Sequence, residues 1–236
     1  TDAQNTAGII NVAEYWPTGS DKIQGIAAHN GFLVIFGRHS ILIYSGAQGD
    51  PAGEDGLKLE DAIRDVGLIN QDAMCNVGTD HLFVDYLGVR ALGRVIQEKS
   101  TPMAEPSMNV ATEIRDLIYD ATETVRMFTL PRHSLALCLF PDIQEAFVFQ
   151  LGQPSVSGGL RVTRWTGCDF FDSVTAYVDD GFKSLLAGRN GRGICRYKGY
   201  DQPKSYNLIY ESPVINATGN QMSTVIPKSM SFSFES

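Results

Sequence analysis

The sequence has few cysteines, and they are too widely spaced for the commonest uses of this residue. The 236 residues contain four. They are Cys75, Cys138, Cys168 and Cys195. Structural zinc sites usually include two ligands close together, as in a C-x-x-C pair, and no such pair is present. No secretory signal is visible either, so we expect reduced, buried thiols; two disulfides are the alternative.

Clusters of basic residues and long apolar runs are also scarce. The net charge is −8, from 27 acidic and 19 basic residues, whereas binding of nucleic-acid phosphates requires clustered Lys and Arg. The densest basic group is Arg189, Arg192, Arg196 and Lys198, which we interpret as a solvated hairpin. No apolar run approaches the roughly 20 residues that cross a bilayer, so we expect no membrane-spanning segment.

Sequence motifs of catalysis are missing as well. There is no phosphate-binding loop of the G-x-x-x-x-G-K-[ST] type, no G-x-S-x-G elbow and no H-E-x-x-H. The carboxylate pairs Asp179–Asp180 and Glu54–Asp55 are sequence neighbours, whereas glycosidases need two carboxyl groups about 5–10 Å apart across a cleft. We interpret these pairs as turn residues. The sequence therefore predicts a protein that is not an enzyme and that carries no cofactor and no metal.

What the sequence does contain is an internal repeat of about 50 residues. Each of four copies reads as a short strand, a tight polar turn, a strongly apolar strand, a second turn and a third strand. The predicted strands are Ile23–Ala28, Phe32–Phe36 and Ile41–Tyr44; Ala73–Val77, Leu82–Leu87 and Val89–Leu92; Val125–Leu130, Leu135–Phe140 and Ala146–Leu151; and Val174–Val178, Phe182–Ala187 and Ile194–Tyr197. Fourth strands are predicted at Leu160–Thr166 and Leu208–Tyr210.

The middle strand of each copy indicates how the copies pack. Phe32–Phe36 is apolar at consecutive positions, and this pattern is typical of a strand that is buried on both faces. A propeller blade meets this condition because it lies between two neighbouring blades. We therefore predict an all-β fold, a β-propeller of four-stranded antiparallel blades with short helical insertions.

The segments between the copies are predicted to hold the helices. One short helix is expected at Leu59–Asp65 and another at Met108–Tyr119, where Ser107 is a candidate N-cap. We expect two regions along the chain. Residues 1–203 form the propeller region, and residues 204–236 supply C-terminal strands that lead toward a platform-type sheet.

Three histidines occupy the corresponding turn of successive copies. They are His29, His81 and His133. They could converge and bind a metal or a glycan, or they could be polar turn residues that recur because the repeat does. We favour the second interpretation because the fourth copy has Asp180-Gly181 at this place.

Three segments resemble the tail nozzle proteins of podophages, which are also called phage stabilisation proteins or tail tubular proteins B. The segments are Tyr15–Ile23 with the turn Gly37–Ser40, then Gly78–Phe83 with Gly88–Arg94, and then Gln97–Met103. Together they span roughly residues 9 to 115. Beyond this stretch, the similarity rests on the strand pattern.

The resemblance implies a virion structural protein of the short tail, made in the host cytoplasm. A homohexamer would form a tube below the portal and its adaptor protein, with a propeller on the outside of each subunit. The tube would retain the genomic double-stranded DNA, pass it during ejection without sequence-specific binding, and dock tail fibres or spikes. An acidic lumen is compatible with this passage, because negative walls do not hold DNA.

The resemblance carries over no catalytic residue. Five residues are offered as subunit or partner contacts, the alternative being an exposed loop between blades with no partner. They are Arg90, Arg94, Gln97, Glu98 and Lys99.

The chain departs from the nozzle family in length. Nozzle proteins are usually much longer, and this chain opens with Thr1, so we expect a processed product or a fragment. A glycan-binding or glycan-cleaving propeller is the alternative function, suggested by the turn histidines and by Trp16 and Trp165, which we expect to be exposed. A cytoplasmic scaffold propeller that binds peptides is a third.

Overall fold

The computed structural model describes residues 11–46, 57–99, 106–120, 125–154, 159–166, 173–177, 183–187 and 194–196. Within them the strands are β1 (Gly25–His29), β2 (Phe32–Phe36), β3 (Ser40–Ser45), β4 (Lys58–Arg64), β5 (Met74–Asn76), β6 (His81–Asp85), β7 (Gly88–Ala91), β8 (Arg126–Leu130), β9 (Leu135–Phe140), β10 (Glu145–Pro154), β11 (Leu160–Thr166), β12 (Ser173–Tyr177), β13 (Lys183–Ala187) and β14 (Ile194–Arg196). The α-helices are α1 (Leu92–Glu98) and α2 (Ala111–Asp120), and 3-10 helices span Val12–Glu14 and Pro131–His133.

The described strands form four antiparallel sheets, each of which follows the chain order. The first sheet is β1-β2-β3-β4, the second β5-β6-β7, the third β8-β9-β10-β11 and the fourth β12-β13-β14. Every predicted repeat copy therefore corresponds to one sheet. The antiparallel pairing is confirmed, and the mostly β structure is compatible with the predicted all-β class. Within the described residues, the predicted strands agree with the observed ones to within a few residues.

The two-residue hairpin between β1 and β2 shows why sequence patterns located these strands well. Asn30 and Gly31 join β1 to β2 with φ angles of 49° and 82°. Two central residues with positive φ are typical of a type I′ turn, whose twist matches that of the flanking strands. Asn and Gly adopt these angles at low cost, so this dipeptide fixes the register in which His29 faces Phe32.

The middle strands of the first and third sheets, β2 and β9, are buried on both faces, as predicted. In β2, Val34 and Phe36 belong to the largest core cluster, whereas Ile35 packs on the opposite face with Trp16. In β9 the same alternation separates Cys138 from its neighbours Leu137 and Leu139, which lie in a separate apolar cluster. Each of these strands thus divides two apolar layers, which explains its consecutive apolar residues.

Successive sheets pack against one another through this main core. The rings of Phe36 in the first sheet and Phe83 in the second lie 5.2 Å apart in an edge-on arrangement. Strand β8 lies beside both β5 and β12, so the first strands of the second, third and fourth sheets are adjacent. The backbone N–H of Met127 also donates to the carbonyl of Asp72 at 2.8 Å and so ties the third sheet to the second.

The predicted helix at Leu59–Asp65 is wrong. This segment contains β4, which pairs with β3 from Ser40↔Arg64 to Ser45↔Lys58 and completes the first sheet. An isolated segment of seven residues is too short to be a stable helix in water. Pairing with β3 satisfies its backbone instead and buries Ile63 in the main core.

The predicted helix at Met108–Tyr119 is confirmed as α2, but the expected cap is wrong. The Ser107 hydroxyl accepts a hydrogen bond from the Val89 N–H at 3.0 Å and donates to the Val89 carbonyl at 3.2 Å. It therefore satisfies the outer edge of β7, where a fourth strand would pair. The α2 residues Ile114 and Ile118 are buried in the main core, so this helix covers the second sheet.

In the described part of the chain, no helix is both long enough and apolar enough to cross a membrane. The predicted strand Leu208–Tyr210 and the C-terminal region 204–236 lie outside the described residues.

Candidate functional site

The first segment of the resemblance has two parts, Tyr15–Ile23 and the β2–β3 turn Gly37–Ser40, and the Asp21 carboxylate joins them. One oxygen accepts from the backbone N–H groups of Lys22 and Arg38, both at 2.7 Å. The other accepts from the His39 N–H at 2.8 Å and from the Ser40 hydroxyl at 2.9 Å. Burial alone would raise the pKa of Asp21, but these four hydrogen bonds outweigh it and hold the pKa below 3.8.

Glycine is required at two positions around this carboxylate. A Cβ at Gly37 would lie 2.4 Å from an Asp21 oxygen and 2.9 Å from the Trp16 ring. A Cβ at Gly67 would lie 2.3 Å from the backbone carbonyl of Arg38. Both glycines therefore allow the turn to pack directly against the neighbouring chain.

The same turn also contacts the second sheet. The Arg38 guanidinium donates to the Tyr86 hydroxyl, and its carbon lies 5.8 Å from the centre of the Tyr86 ring. The His39 ring stacks on Tyr86 at a centroid distance of 5.4 Å. The β2–β3 and β6–β7 turns therefore form one partly exposed basic and aromatic surface at this end of the two sheets.

The second and third segments of the resemblance are organised around Asp80 and α1. One Asp80 oxygen accepts from the His81 N–H at 2.7 Å and from the Gly93 N–H at 2.9 Å, so the β5–β6 turn is tied to the start of α1. At the other end of the helix, the Lys99 ammonium lies 2.8 Å from an Asp61 oxygen on β4. The hydrogen bond from Lys99 lowers the pKa of Asp61.

The structure brings together two of the three turn histidines. The rings of His29 and His81 are 6.0 Å apart, and His29 Nδ1 lies 3.8 Å from an Asp80 oxygen. His133 is exposed in the 3-10 helix between β8 and β9. Over the residues that the structure describes, no group of three or more His, Cys, Asp and Glu side chains is arranged to hold a metal ion.

The residues predicted as subunit or partner contacts lie in two different environments. Arg90 is fully buried and forms an ion pair with Asp85, so it offers no side-chain surface to a partner. The other four are exposed on or just after α1, where Arg94 pairs with Glu98 at 3.1 Å. The surface that remains from this prediction is therefore the outer side of α1, formed by Arg94, Gln97, Glu98 and Lys99.

The surroundings of Asp85, Cys75 and Cys138 are those of structural residues and not of reactive ones. Burial raises the pKa of Asp85, although its ion pair with Arg90 and hydrogen bonds from the backbone N–H groups of Leu87 and Gly88 oppose the shift. Cys75 and Cys138 are free and buried in the main core. Burial raises the pKa of Cys75 to about 12 and the pKa of Cys138 still further. Protonated, enclosed thiols of this kind are poor nucleophiles.

The two tryptophans that suggested a glycan site lie in different apolar clusters. Trp16, which we expected to be exposed, is 5% exposed and packs behind the first sheet, and Trp165 is half-buried against the third. Their exposure was therefore predicted wrongly. The carboxylate pairs Asp179–Asp180 and Glu54–Asp55 lie outside the described residues, as do Cys168 and three members of the basic group, Arg189, Arg192 and Lys198. Cys195 and Arg196 lie in β14.

Sequence reasoning missed the side chains that organise this region. Asp21 lies within the first segment of the resemblance. Its position shortly before a strand was the signal that could have identified it. Nothing in the sequence marked the pairing of Tyr86 with Arg38, because these residues are 48 positions apart.

Comparison with known proteins adds no relative. No protein-family model matches the chain. No curated protein matches it at a significant level.

Proposed function

We propose that this chain is a structural component of a short-tailed phage tail, in which its sheets are the blades of a β-propeller on a nozzle subunit. In this role the protein forms part of the tube below the portal and adaptor. The homohexameric tube retains the genomic DNA and passes it during ejection, and its flank docks fibres or spikes.

The stacking of the sheets supports a propeller arrangement. In the first and third sheets the middle strands are buried on both faces, and the first strands of the second, third and fourth sheets lie side by side. Meandering antiparallel sheets with their first strands adjacent are typical of blades around an axis.

The observation that carries the functional proposal is how the segments of the resemblance pack. Their described parts, which exclude residues 100–103, are each held by side-chain contacts. Asp21 binds the β2–β3 turn, Asp80 binds the start of α1, and Lys99 reaches Asp61 on the first sheet. Residues of the resemblance thus organise the local structure of the first two sheets, which supports a structural role for them.

The outer side of α1 is the surface that we assign to subunit or partner contact. Arg94 is 47% exposed and Lys99 is 68% exposed, and together with Gln97 and Glu98 they present both charge signs. Mixed charges on an exposed helix suit a polar interface that assembles in a defined orientation.

Immunogold labelling of purified virions with an antibody raised against this chain tests the proposal. We expect label at the short tail and peptides of the chain in the particles. Intact, infectious particles that contain neither label nor peptide would contradict the structural role, and glycan binding would become the leading hypothesis.

The contact surface has its own test. Phage that carry Arg94→Glu and Gln97→Ala are expected to assemble fewer tailed particles. The matched control is Thr112→Ala with Asp116→Ala, which changes exposed residues on the other described α-helix. Equal assembly of the two variants would remove α1 from the interface.

A further inference from the structure

His29 and His81 lie together at the junction of the first two sheets, with their rings 6.0 Å apart. His29 is 6% exposed, and its Nε2 lies 3.0 Å from the Asn30 side-chain nitrogen, which can only donate. Its Nδ1 lies 3.8 Å from an Asp80 oxygen.

His81 is the second member of this pair. Its Nδ1 is buried and has no hydrogen-bond partner within the described part of the chain. Burial lowers the pKa of His81 from 6.5, and the nearby His29 lowers it further, whereas Asp80 opposes the shift. Asn76 is the partner of His81 on β5, and α1 contributes the Gly93 N–H that binds Asp80.

We propose that this histidine pair is a pH-sensitive contact that releases α1 from the β5–β6 turn when the protein is acidified. A proton on His81 Nδ1 places a charge where no acceptor is available, so the ring must move toward water. This movement strains the turn that carries Asp80.

The connection to α1 runs through the Asp80 carboxylate. The oxygen that faces His29 also accepts from the His81 N–H and the Gly93 N–H. If the turn moves outward with His81, the bond to Gly93 lengthens and α1 loses its attachment to the sheet. The exposed side of α1 is the surface that we assigned to subunit or partner contacts. The pH-sensitive contact lies within one chain and does not depend on that assignment.

The sign of the effect follows from the direction of the His81 shift. A histidine whose folded-state pKa is lowered contributes stability above its unfolded pKa of 6.5, and this contribution is lost as the pH falls below that value. Each pH unit below 6.5 weakens the closed form by up to about tenfold, until the folded-state pKa is reached.

Hydrogen exchange of the intact chain at about pH 7.5 and about pH 5.5, corrected for the intrinsic pH dependence of exchange, tests this contact. We expect the protection of amides in Leu92–Glu98 to fall by up to about tenfold at the lower pH. In His81→Phe the fall should disappear. In His133→Phe, which changes an exposed histidine, it should persist. Equal protection of α1 at both pH values in the unmodified chain would overturn the proposal.

A second measurement does not depend on the folding of His81→Phe. The ring proton of His81 is followed by NMR in the unmodified chain and in His29→Gln. Replacing His29 removes its electrostatic interaction with His81 and should raise the pKa of His81 toward 6.5. An unchanged titration would show that the two rings are not coupled, and the pair would then be ordinary core packing.

Discussion

Replacing Asp21 by asparagine should loosen the attachment of the N-terminal segment to the β2–β3 turn. An asparagine keeps the shape of the side chain but has only one acceptor oxygen, so its NH₂ group must face either the Arg38 side or the His39 side of the turn. At least one backbone N–H then loses its acceptor. Such a loss costs about 1–3 kcal/mol when the group is buried.

We expect a value at the low end of this range, about 1 kcal/mol, because Arg38 and His39 are exposed and water can approach their N–H groups. For a domain of this size the change corresponds to a decrease in Tm of about 2–4 °C. Thermal unfolding followed by circular dichroism measures it. The control Asp116→Asn removes the same charge from an exposed position on α2 and should change Tm by less than about 2 °C.

The pH dependence provides a second check on the same carboxylate. Since the folded-state pKa of Asp21 lies below 3.8, its contribution is present above 3.8 and is lost as the pH falls through the folded-state value. The stability difference between the unmodified chain and Asp21→Asn should therefore shrink in acid. If Asp21→Asn and Asp116→Asn cost the same near neutral pH, the reasoning about the turn is refuted.

Three other predictions concern packing and edge contacts. Gly67→Ala places a Cβ against the backbone of the β2–β3 turn and should lower stability by about 2–3 kcal/mol in urea unfolding, whereas Gly152→Ala meets no atom within 4 Å and should be tolerated. Cys75 and Cys138 should resist alkylation in the folded protein and react after unfolding, as mapped by mass spectrometry; rapid labelling of either in the native state would contradict their burial. Ser107→Ala should speed hydrogen exchange of the Val89 amide in β7, whose N–H donates to the Ser107 hydroxyl. Faster exchange confined to the first turn of α2 would instead indicate a helix cap.

The strands were predictable because two local signals agreed in each copy. Turn residues that tolerate positive φ, such as Asn30-Gly31, stand on either side of consecutive apolar residues. In β9 the predicted and observed limits coincide at Leu135–Phe140, between a Pro-initiated turn and a Pro-Asp turn. Where both signals were strong, the local preference of the chain and the tertiary structure favour the same strands.

The segment Lys58–Arg64 shows where local signals are insufficient. Its residues suit a helix as well as a strand, and the choice depends on whether β3 offers an unpaired edge. That edge is created by residues 13 or more positions earlier, from Ser40 to Ser45. Tertiary pairing therefore overrides propensity here, because a strand at this edge satisfies the backbone of both partners.

The organising side chains of the candidate site are harder to predict for the same reason. Asp80 and Gly93 are 13 positions apart, and Asp21 and His39 are 18 apart. A single sequence shows that these residues suit turns, but it does not show which turn accepts which N–H. The histidines illustrate the limit, since His29, His81 and His133 occupy corresponding places in the repeat, and the sequence does not show that the rings of His29 and His81 lie 6.0 Å apart.

Ser107 shows how one residue type can serve two different purposes with the same local sequence. A serine shortly before an amphipathic helix is the usual signal for an N-cap, because its oxygen can accept from the first free N–H groups of the helix. In this fold the outer edge of β7 also presents a free N–H and a free carbonyl, both on Val89, and the hydroxyl satisfies the two together. A cap would satisfy only a donor, whereas an open strand edge leaves a donor and an acceptor unpaired and invites pairing with another chain. The second sheet therefore protects its three-stranded edge with Ser107 and α2, while the first sheet covers the equivalent edge of β3 with the strand β4.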